Sequence, residues 1–283
     1  MSPVSSPALP GPVRPGRAAP VRARRRRDPD LRRGVLGVLA FLGGAELLGR
    51  AEVVDPKVLP LASAVLARAA RLAGDGAFLG HVGATLLAWA AGLALTVAVA
   101  VPAGLLIGSV PPVETAARPF IEFLRPIPSV AVIPLAMVLF PGKLELKLVV
   151  IAFGASWPVL INTVYGLREV DPVAKQTLRA FGFGPLSVLG RVSLPSTAPF
   201  IATGVRVASG IALILAISVE LMAGGQSGIG VFVLEAGSSE DGIEMIIAAT
   251  VWAGLLGLAF DLLFTRAERR LFRWNVGRTG GAA

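Results

Sequence analysis

The stretch ATLLAWAAGLALTVAVAVPAGLLIG, residues 84–108, contains no charged side chain. An α-helix needs about 20 residues to cross the ~30 Å hydrocarbon core of a bilayer, so this run is long enough for one full span. The whole chain of 283 residues is 54% apolar and 16% charged, with a mean hydropathy of +0.73. Soluble domains carry about 25% charged residues. The sequence therefore predicts an all-α membrane protein.

Further apolar segments extend this prediction to about six transmembrane helices. They are residues 34–49, 119–140, 148–166, 198–221 and 243–264. The first is short, and it spans only if its flanking arginines reach the interfaces. Four prolines interrupt the segment 119–140. Proline at membrane depth is tolerated where neighbouring helices satisfy the freed carbonyls, so we expect that segment to pack inside the protein.

The basic residues predict that both termini are cytoplasmic. With six spans, 21 of the 27 Lys and Arg fall in the pieces that would then face the cytoplasm, and six fall outside. Cytoplasmic loops of membrane proteins carry such an excess. The predicted organisation is a disordered basic cytoplasmic tail (1–33), a first transmembrane helix (34–50), an external segment (51–83), a core domain (84–265) with a cytoplasmic loop (167–197), and a cytoplasmic C-terminal tail (266–283).

Several classes of protein are disfavoured. The chain has no Cys and one His, His81, so a disulfide framework is excluded, and we expect no metal site and no cofactor. Arg32-Arg33 before an apolar run resembles a twin-arginine export signal, but five more hydrophobic segments favour a membrane anchor. Gly142-Lys143 lacks the remaining phosphate-binding residues of a Walker A loop, and Ser227 lacks the frame of a serine nucleophile, so we expect no enzyme.

The loop between the fourth and fifth spans carries the most informative pattern. Asp171-Pro172 predicts a helix N-cap followed by proline in the first turn, and Gly182 predicts the end of that helix. Pro185 then opens a second short helix, which we expect to end at Leu194-Pro195. The prediction is two short amphipathic helices joined by a glycine turn. Alternatives from the residues alone are an amphipathic loop lying on the bilayer and, with the basic tail, a DNA-binding helix-turn-helix.

This loop resembles that of permease subunits of bacterial ABC importers, written EAA, three residues, G, nine residues, I, any residue, LP. Gly182, Val192, Leu194 and Pro195 stand at those spacings, whereas Gln176, Thr177 and Leu178 replace EAA. Further segments resemble the nitrate/sulfonate/taurine branch of that family. They are LRPIP (124–128), PL (134–135), NT (162–163), GL (166–167), TGVRVA (203–208), ELMA (220–223) and GIG (228–230).

The resemblance implies a type I importer core whose cytoplasmic coupling helix docks on a separate ATP-binding cassette ATPase. The implied coupling residues are Gln176, Thr177, Leu178, Arg179, Phe181, Gly182, Val192, Leu194 and Pro195. The implied partners are that ATPase, an extracytoplasmic solute-binding protein, a second copy of the chain and the lipid bilayer, with no nucleic acid. The implied substrate is a small organic anion such as a sulfonate or taurine, or nitrate; permeases for vitamin precursors belong to the same branch. The competing class is a secondary transporter or channel without an ATPase.

Polar residues at membrane depth are candidates for the translocation path, because a charge costs about 2.5–3.5 kcal/mol at a helix centre. The candidates are Glu220, Arg206, Asn162, Arg125 and Pro128. Each has a structural alternative. Arg206 could reach the inner interface, Glu220 could join helices, and Asn162 is expected to hydrogen-bond between helices.

Overall fold

The computed structural model describes residues 28–51, 60–239 and 241–273, and all regular structure within them is helical. The helices are α1 (Asp28–Arg50), α2 (Ala62–Leu72), α3 (Gly76–Ser109), α4 (Pro111–Leu124), α5 (Ile133–Leu139), α6 (Lys143–Arg168), α7 (Pro172–Ala180), α8 (Pro185–Val188), α9 (Leu194–Ala223), α10 (Ile229–Ala236) and α11 (Gly242–Leu271). A 3₁₀ turn, Ser129–Val132, precedes α5, and a π turn, Leu189–Ser193, precedes α9. Predictions for residues 1–27, 52–59 and 274–283 lie outside the described residues.

The chain divides into two compact units, Met1–Ala45 and Glu46–Ala283. The described part of the first unit is the helical segment up to Ala45, whose apolar side chains, such as Leu36 and Phe41, are exposed. All further packing described below lies within the second unit.

Three long helices, α3, α6 and α9, form the central core of the second unit. Their backbones approach closely where glycine removes a side chain. A Cβ on Gly92 would lie 2.7 Å from Ile151 Cγ2, and one on Gly204 would lie 2.9 Å from the Pro158 carbonyl oxygen. Small residues at such contacts let helices pack tightly in a membrane, where burial from water does not drive association.

A second apolar cluster joins α2, α10 and α11 to the start of α3. Phe78 is fully buried and lies edge-on to Phe232 and Trp252. Arg68 of α2 contacts both Asp241 (2.6 Å) and Glu244 (3.1 Å). Burial alone would lower the pKa of Arg68, but its hydrogen bonds to these two carboxylates raise that pKa on balance. Arg68 therefore holds α2 against α11 as a charged group.

The segment interrupted by prolines is broken rather than continuous. α4 and the stretch Ser129–Leu139 meet at an angle of 86°, with Pro126 and Pro128 between them. The expectation that this segment packs inside the protein is met within this chain only by part of α5, where Ile133 and Ala136 are buried in the central core. α4 has no buried residue, and Phe123 and Val138 are 74% and 81% exposed. The outward faces of both halves leave apolar side chains exposed.

Four helical runs are long and apolar enough to cross a membrane, and the bent pair would make a fifth. They are Gly76–Ser109, Leu144–Arg168, Pro185–Ala223 and Gly242–Leu271. α1 carries Arg32, Arg33, Glu46 and Arg50 within its 23 residues and is not among them. Five of the six predicted spans thus have a helical counterpart, and the first span stays a prediction.

Candidate functional site

The loop between α6 and α9 begins as the sequence predicts. Asp171 caps α7, because its Oδ1 accepts a hydrogen bond from the amide of Val173 (2.8 Å), and Pro172 occupies the first turn. We call this end of the core the loop end, and the opposite end, where α9 finishes, the far end. Lys175 donates from Nζ to the Leu167 carbonyl (3.0 Å), which ties α7 to the last turn of α6.

Gly182 ends α7 in the conformation that its position predicts. Its φ is +82°, its amide donates to Arg179 O (2.9 Å), and the amide of Phe183 donates to Leu178 O (3.1 Å). This pair of bonds is the Schellman arrangement, in which glycine avoids the steric cost of a left-handed backbone. The turn therefore has a fixed shape that presents the side chains beside it.

Apolar side chains on this loop face outward. Phe181 is 78% exposed, Leu186 is 83% exposed and Val173 is 66% exposed, whereas Leu178 is half-buried. No residue of α7 is buried. Of the remaining predicted coupling residues, Gln176, Thr177, Arg179, Leu194 and Pro195 are exposed and Val192 is half-buried.

The second short helix does not end at Leu194-Pro195, so that expectation is wrong. α8 passes through the π turn directly into α9, and Leu194 N–H bonds to Leu189 O five residues back. Pro195 has no amide hydrogen and falls in the first turn of α9. The π turn, with its wider hydrogen-bonded ring, accommodates the local change in helix geometry before this proline. The helix therefore continues instead of stopping.

At the far end, Glu220 of α9 is completely buried and bonded to three other helices. Its carboxylate accepts from Lys147 Nζ of α6 (2.9 Å), from Thr85 Oγ1 of α3 (2.9 and 3.0 Å to the two oxygens) and from the amide of Gly230 in α10 (3.0 Å). Thr85 Oγ1 in turn accepts from the amide of Ile229 (2.8 Å). A buried carboxylate is tolerable when it is paired and its oxygens are satisfied, as they are here.

A glycine-rich turn, residues 224–228, closes over this cluster. Gly224, Gly225 and Gly228 have φ values of +65°, +157° and +143°. A Cβ on Gly228 would overlap the Glu220 carboxylate. The amide of Gly228 donates to Nδ1 of His81 (3.1 Å), so His81 holds the turn in place.

Arg206, the other charged candidate on α9, lies towards the loop end. It donates from Nε to Asp261 Oδ1 (2.7 Å), lies 3.2 Å from the second Asp261 oxygen, and lies 3.8 Å from Glu268. Its side chain is 35% exposed. The arginine that binds Asp261 of α11 thus belongs to another helix, α9.

The other candidates are scattered. Asn162 donates from Nδ2 to Pro158 O (2.8 Å) in its own helix, so the expected interhelical bond is wrong.

Arg125 lines a hollow of about 250 Å³ at the loop end, together with Arg118, Arg168 and Tyr165. Arg118 pairs with Glu122, and Arg168 pairs with Glu114. Arg125 has no partner within the described residues. Pro128 is exposed beside the 3₁₀ turn.

The sequence profile of the family described as binding-protein-dependent transport system inner membrane component matches residues 100–273, more than half of the chain. The chain belongs to this family. It is 34% identical over 243 residues to a probable ABC transporter permease of Brucella abortus, covering 85% of this chain and 95% of that one.

Two further relatives of this binding-protein-dependent permease have named substrates. The bicarbonate transport system permease CmpB of Synechococcus elongatus is 30% identical over 190 residues, covering 67% of this chain and 68% of the relative. The putative aliphatic sulfonates transport permease SsuC of Bacillus subtilis is 28% identical over 248 residues, covering 88% and 89%. The MetNI methionine ABC transporter, solved in inward-facing conformations, matches with a TM-score of 0.57 at 18% identity over 67% of this chain and 94% of that chain, which supports a shared fold.

Family membership confirms the predicted fold and function. The chain is a multi-pass membrane subunit of an ABC importer, a transport component rather than an enzyme. The secondary-transporter alternative is thereby set aside.

Sequence reasoning on this binding-protein-dependent permease missed Lys147, Thr85 and His81 as partners of the far-end cluster. Lys147 directly precedes the apolar run 148–166, and Glu220 stands near the end of the run 198–221. The two opposite charges are therefore expected at a similar depth. That coincidence was the available signal for the pair.

Proposed function

We propose that this permease couples ATP hydrolysis on a separate subunit to the inward passage of a small oxyanion, with its loop end in the cytoplasm. The observation that carries the proposal is the exposed apolar group at the loop end, formed by Val173, Phe181 and Leu186. These side chains stand on a turn whose shape Gly182 fixes, and no described residue covers them. A rigid apolar knob of this kind suits a groove on a partner protein.

The charge distribution supports the orientation. The loop end carries Arg118, Arg125, Arg168, Arg179 and Arg191, and the positive-inside rule favours placing such an end in the cytoplasm. The ATPase would then bind the loop, and a solute-binding protein would deliver substrate at the far end, as the family description implies for its members. Both termini would lie in the cytoplasm.

The chemistry of the relatives supports an oxyanion substrate. Bicarbonate and aliphatic sulfonates, named for CmpB and SsuC, share a planar or tetrahedral group of oxygens that carries one negative charge. We infer the same class for this chain, which includes taurine and nitrate. Cationic side chains line a hollow at each end of the core, Lys147 at the far end and Arg125 at the loop end.

A second copy of the chain would complete the pathway. The bent pair of α4 and α5 exposes Phe120, Phe123 and Val138, which are 70%, 74% and 81% exposed. A broken helix at membrane depth is tolerated where protein covers it or where it lines a cavity. A partner subunit on this side would provide that cover.

The coupling proposal is tested by co-purification. The tagged chain is extracted in mild detergent as wild type, as Phe181→Ala with Leu186→Ala, and as Leu234→Ala, a far-end control that is 48% exposed. We expect a Walker-A-containing ATPase to co-purify with the wild type and the control, and to be lost from the loop variant. Retention by the loop variant would show that this surface does not bind the ATPase.

Orientation is tested with single cysteines, because the natural chain has none. Thr177→Cys at the loop end and Gly80→Cys at the far end are exposed positions. A membrane-impermeant maleimide should label Gly80→Cys in spheroplasts and Thr177→Cys in inside-out vesicles. The opposite labelling would reverse the proposed topology.

A further inference from the structure

A hollow of about 220 Å³ opens at the far end between α3, the start of α6 and the glycine-rich turn. Its lining includes Leu144, Lys147, Gly224, Gly225, Gln226 and Ser227. Among the described side chains that line it, only that of Lys147 is charged. We call it the far-end hollow. Pockets for drug-sized ligands measure about 300–1,000 Å³, so this volume suits a smaller solute.

Lys147 gives the far-end hollow its positive charge. The residue is 9% exposed, and its Nζ bonds to Glu220 Oε1. An ammonium group has three donors. No other described residue accepts from this one, so two N–H groups of a largely buried cation that lines the hollow have no partner among the described residues.

The glycine-rich turn adds backbone donors. Within the described residues, no acceptor receives a hydrogen bond from the amides of Gly224, Gly225, Gln226 or Ser227. The positive φ angles of Gly224 and Gly225 give the turn a backbone that side-chain-bearing residues rarely adopt. Successive free amides in a turn form concave sites that bind anions. The Ser227 hydroxyl and the Gln226 side-chain amide likewise have no hydrogen-bond partner in the part of the chain that the structure describes.

Glu220 offsets part of this field, but it is fully buried and absent from the lining, whereas Lys147 belongs to the lining. The charge of Glu220 is also shared by Lys147, Thr85 and Gly230. Its position fixes Lys147 and the glycine-rich turn together, because α6 and α10 both bond to it. Glu220 is thus a positioning residue.

We propose that the far-end hollow is a binding subsite for a small oxyanion, held by Lys147 Nζ and the amides of Gly224–Ser227. It would be the first place on the membrane subunit that a solute released at the far end meets. The substrate class in this inference rests on the proposed function. The charge and the hydrogen-bond donors of the far-end hollow do not depend on an ATPase.

The experiment uses the full chain with Ser227→Cys, purified into phosphatidylcholine nanodiscs. The rates of reaction with anionic sulfonatoethyl and cationic trimethylammonioethyl methanethiosulfonate are compared. The control is Gly80→Cys, where no atom lies within 4 Å of the added Cβ. A positive cleft raises local anion concentration, so we expect the anionic-to-cationic rate ratio at Ser227→Cys to exceed the control ratio by about tenfold or more. Ethanesulfonate should slow formation of the mixed disulfide at Ser227→Cys alone.

Second substitutions in the Ser227→Cys background identify the groups responsible. Lys147→Gln with Glu220→Gln removes both charges of the pair and should bring the ratio down to the control value. Gln226→Glu needs no repacking, because Gln226 is exposed and the change is isosteric. It should also lower the ratio. The chain has one other glutamine, and Gln176→Glu at the loop end should leave the ratio unchanged.

Equal ratios at Ser227→Cys and Gly80→Cys would overturn the proposal, and so would a ratio that Gln226→Glu does not change. Protection by added phosphatidylglycerol but not by ethanesulfonate would assign the hollow to a lipid headgroup and overturn the solute subsite. None of these measurements involves ATPase binding. A failed co-purification test with a high rate ratio would therefore refute the coupling proposal and leave the subsite standing.

Discussion

The two charged residues of α9 have opposite environments. Glu220 at the far end is completely buried and bonds to side chains or amides of three other helices, whereas Arg206 towards the loop end has a 35% exposed side chain and pairs with α11 alone. Both were equal candidates for the translocation path by sequence.

The degree of burial determines how strongly each ion pair constrains the structure. A fully desolvated carboxylate must have its oxygens satisfied, so Glu220 dictates how four helices meet. The Arg206–Asp261 pair is partly exposed in this chain, and exposed pairs contribute about 0–1 kcal/mol. Glu220 therefore helps to determine how the helices pack, whereas Arg206 makes a local contact with α11.

The largest expected effect is that of Glu220→Ala. It leaves Lys147 buried without its partner, which costs about 3–5 kcal/mol in unfolding free energy. The measurement is denaturant-induced unfolding of the purified chain in detergent micelles. Asp261→Ala, which breaks the pair with Arg206, is the matched control and should cost about 1 kcal/mol or less. Equal losses in the two variants would contradict the distinction drawn here.

Gly230→Ala should destabilise the far end by about 1–3 kcal/mol, because the new methyl group overpacks the contact. Its Cβ would lie 2.6 Å from Glu220 Cβ and 2.6 Å from Ile217 O. Gly210→Ala, also helical and with no atom within 4 Å of its Cβ, should instead be neutral or stabilise by up to about 1 kcal/mol. The same unfolding assay distinguishes the two variants. A destabilised Gly210→Ala would show that helix propensity does not determine the stability change at that position.

Thr85→Val keeps the shape of the side chain and removes its hydroxyl. The amide of Ile229 then loses its acceptor and Glu220 loses a donor, for a cost of about 1–2 kcal/mol. Thr250→Val is the control, since Thr250 Oγ1 bonds to Ile246 O of its own helix at an exposed position. Thermal denaturation followed by circular dichroism should show a lower midpoint for Thr85→Val alone. Equal midpoints would mean that the Thr85 hydrogen bonds add nothing to the cluster.

The smallest expected effect concerns Asp261→Asn. Arg206 would keep one hydrogen bond and lose its charge partner, for about 1 kcal/mol or less at low ionic strength. Salt screens exposed pairs, so the difference from wild type should shrink between 0.01 and about 1 M salt. Unfolding at both concentrations measures this. A difference that persists at high salt would place the Arg206 pair in the same class as the Glu220 pair.

Local patterns in the sequence predicted local structure well. The α7 cap at Asp171 and the left-handed turn at Gly182 follow from residue types at fixed spacings, and both are present. The long apolar runs predicted the membrane helices for the same reason. Where the prediction failed, as at Leu194-Pro195, proline was taken as a stop, although in the first turn of a helix its missing amide costs little.

Partners across helices were beyond the sequence. Lys147 and Glu220 are 73 residues apart, and they meet because of how far α6 and α9 slide along each other. That register is fixed by close contacts such as Gly204 against Pro158, which no periodicity of either helix reveals. The exposed face of α4 and α5 was also beyond the sequence, since apolar composition does not say whether the same chain or another molecule covers a surface.

The uninterrupted helical run Pro185–Ala223 has a mechanical consequence. At about 1.5 Å per residue its 39 residues form a rod of about 58 Å. Leu186 projects near one tip, and the glycine-rich turn of the far-end hollow begins at the other. If the coupling proposal holds, a displacement at Leu186 would reach Gly224 along one continuous helix, with no loop between them.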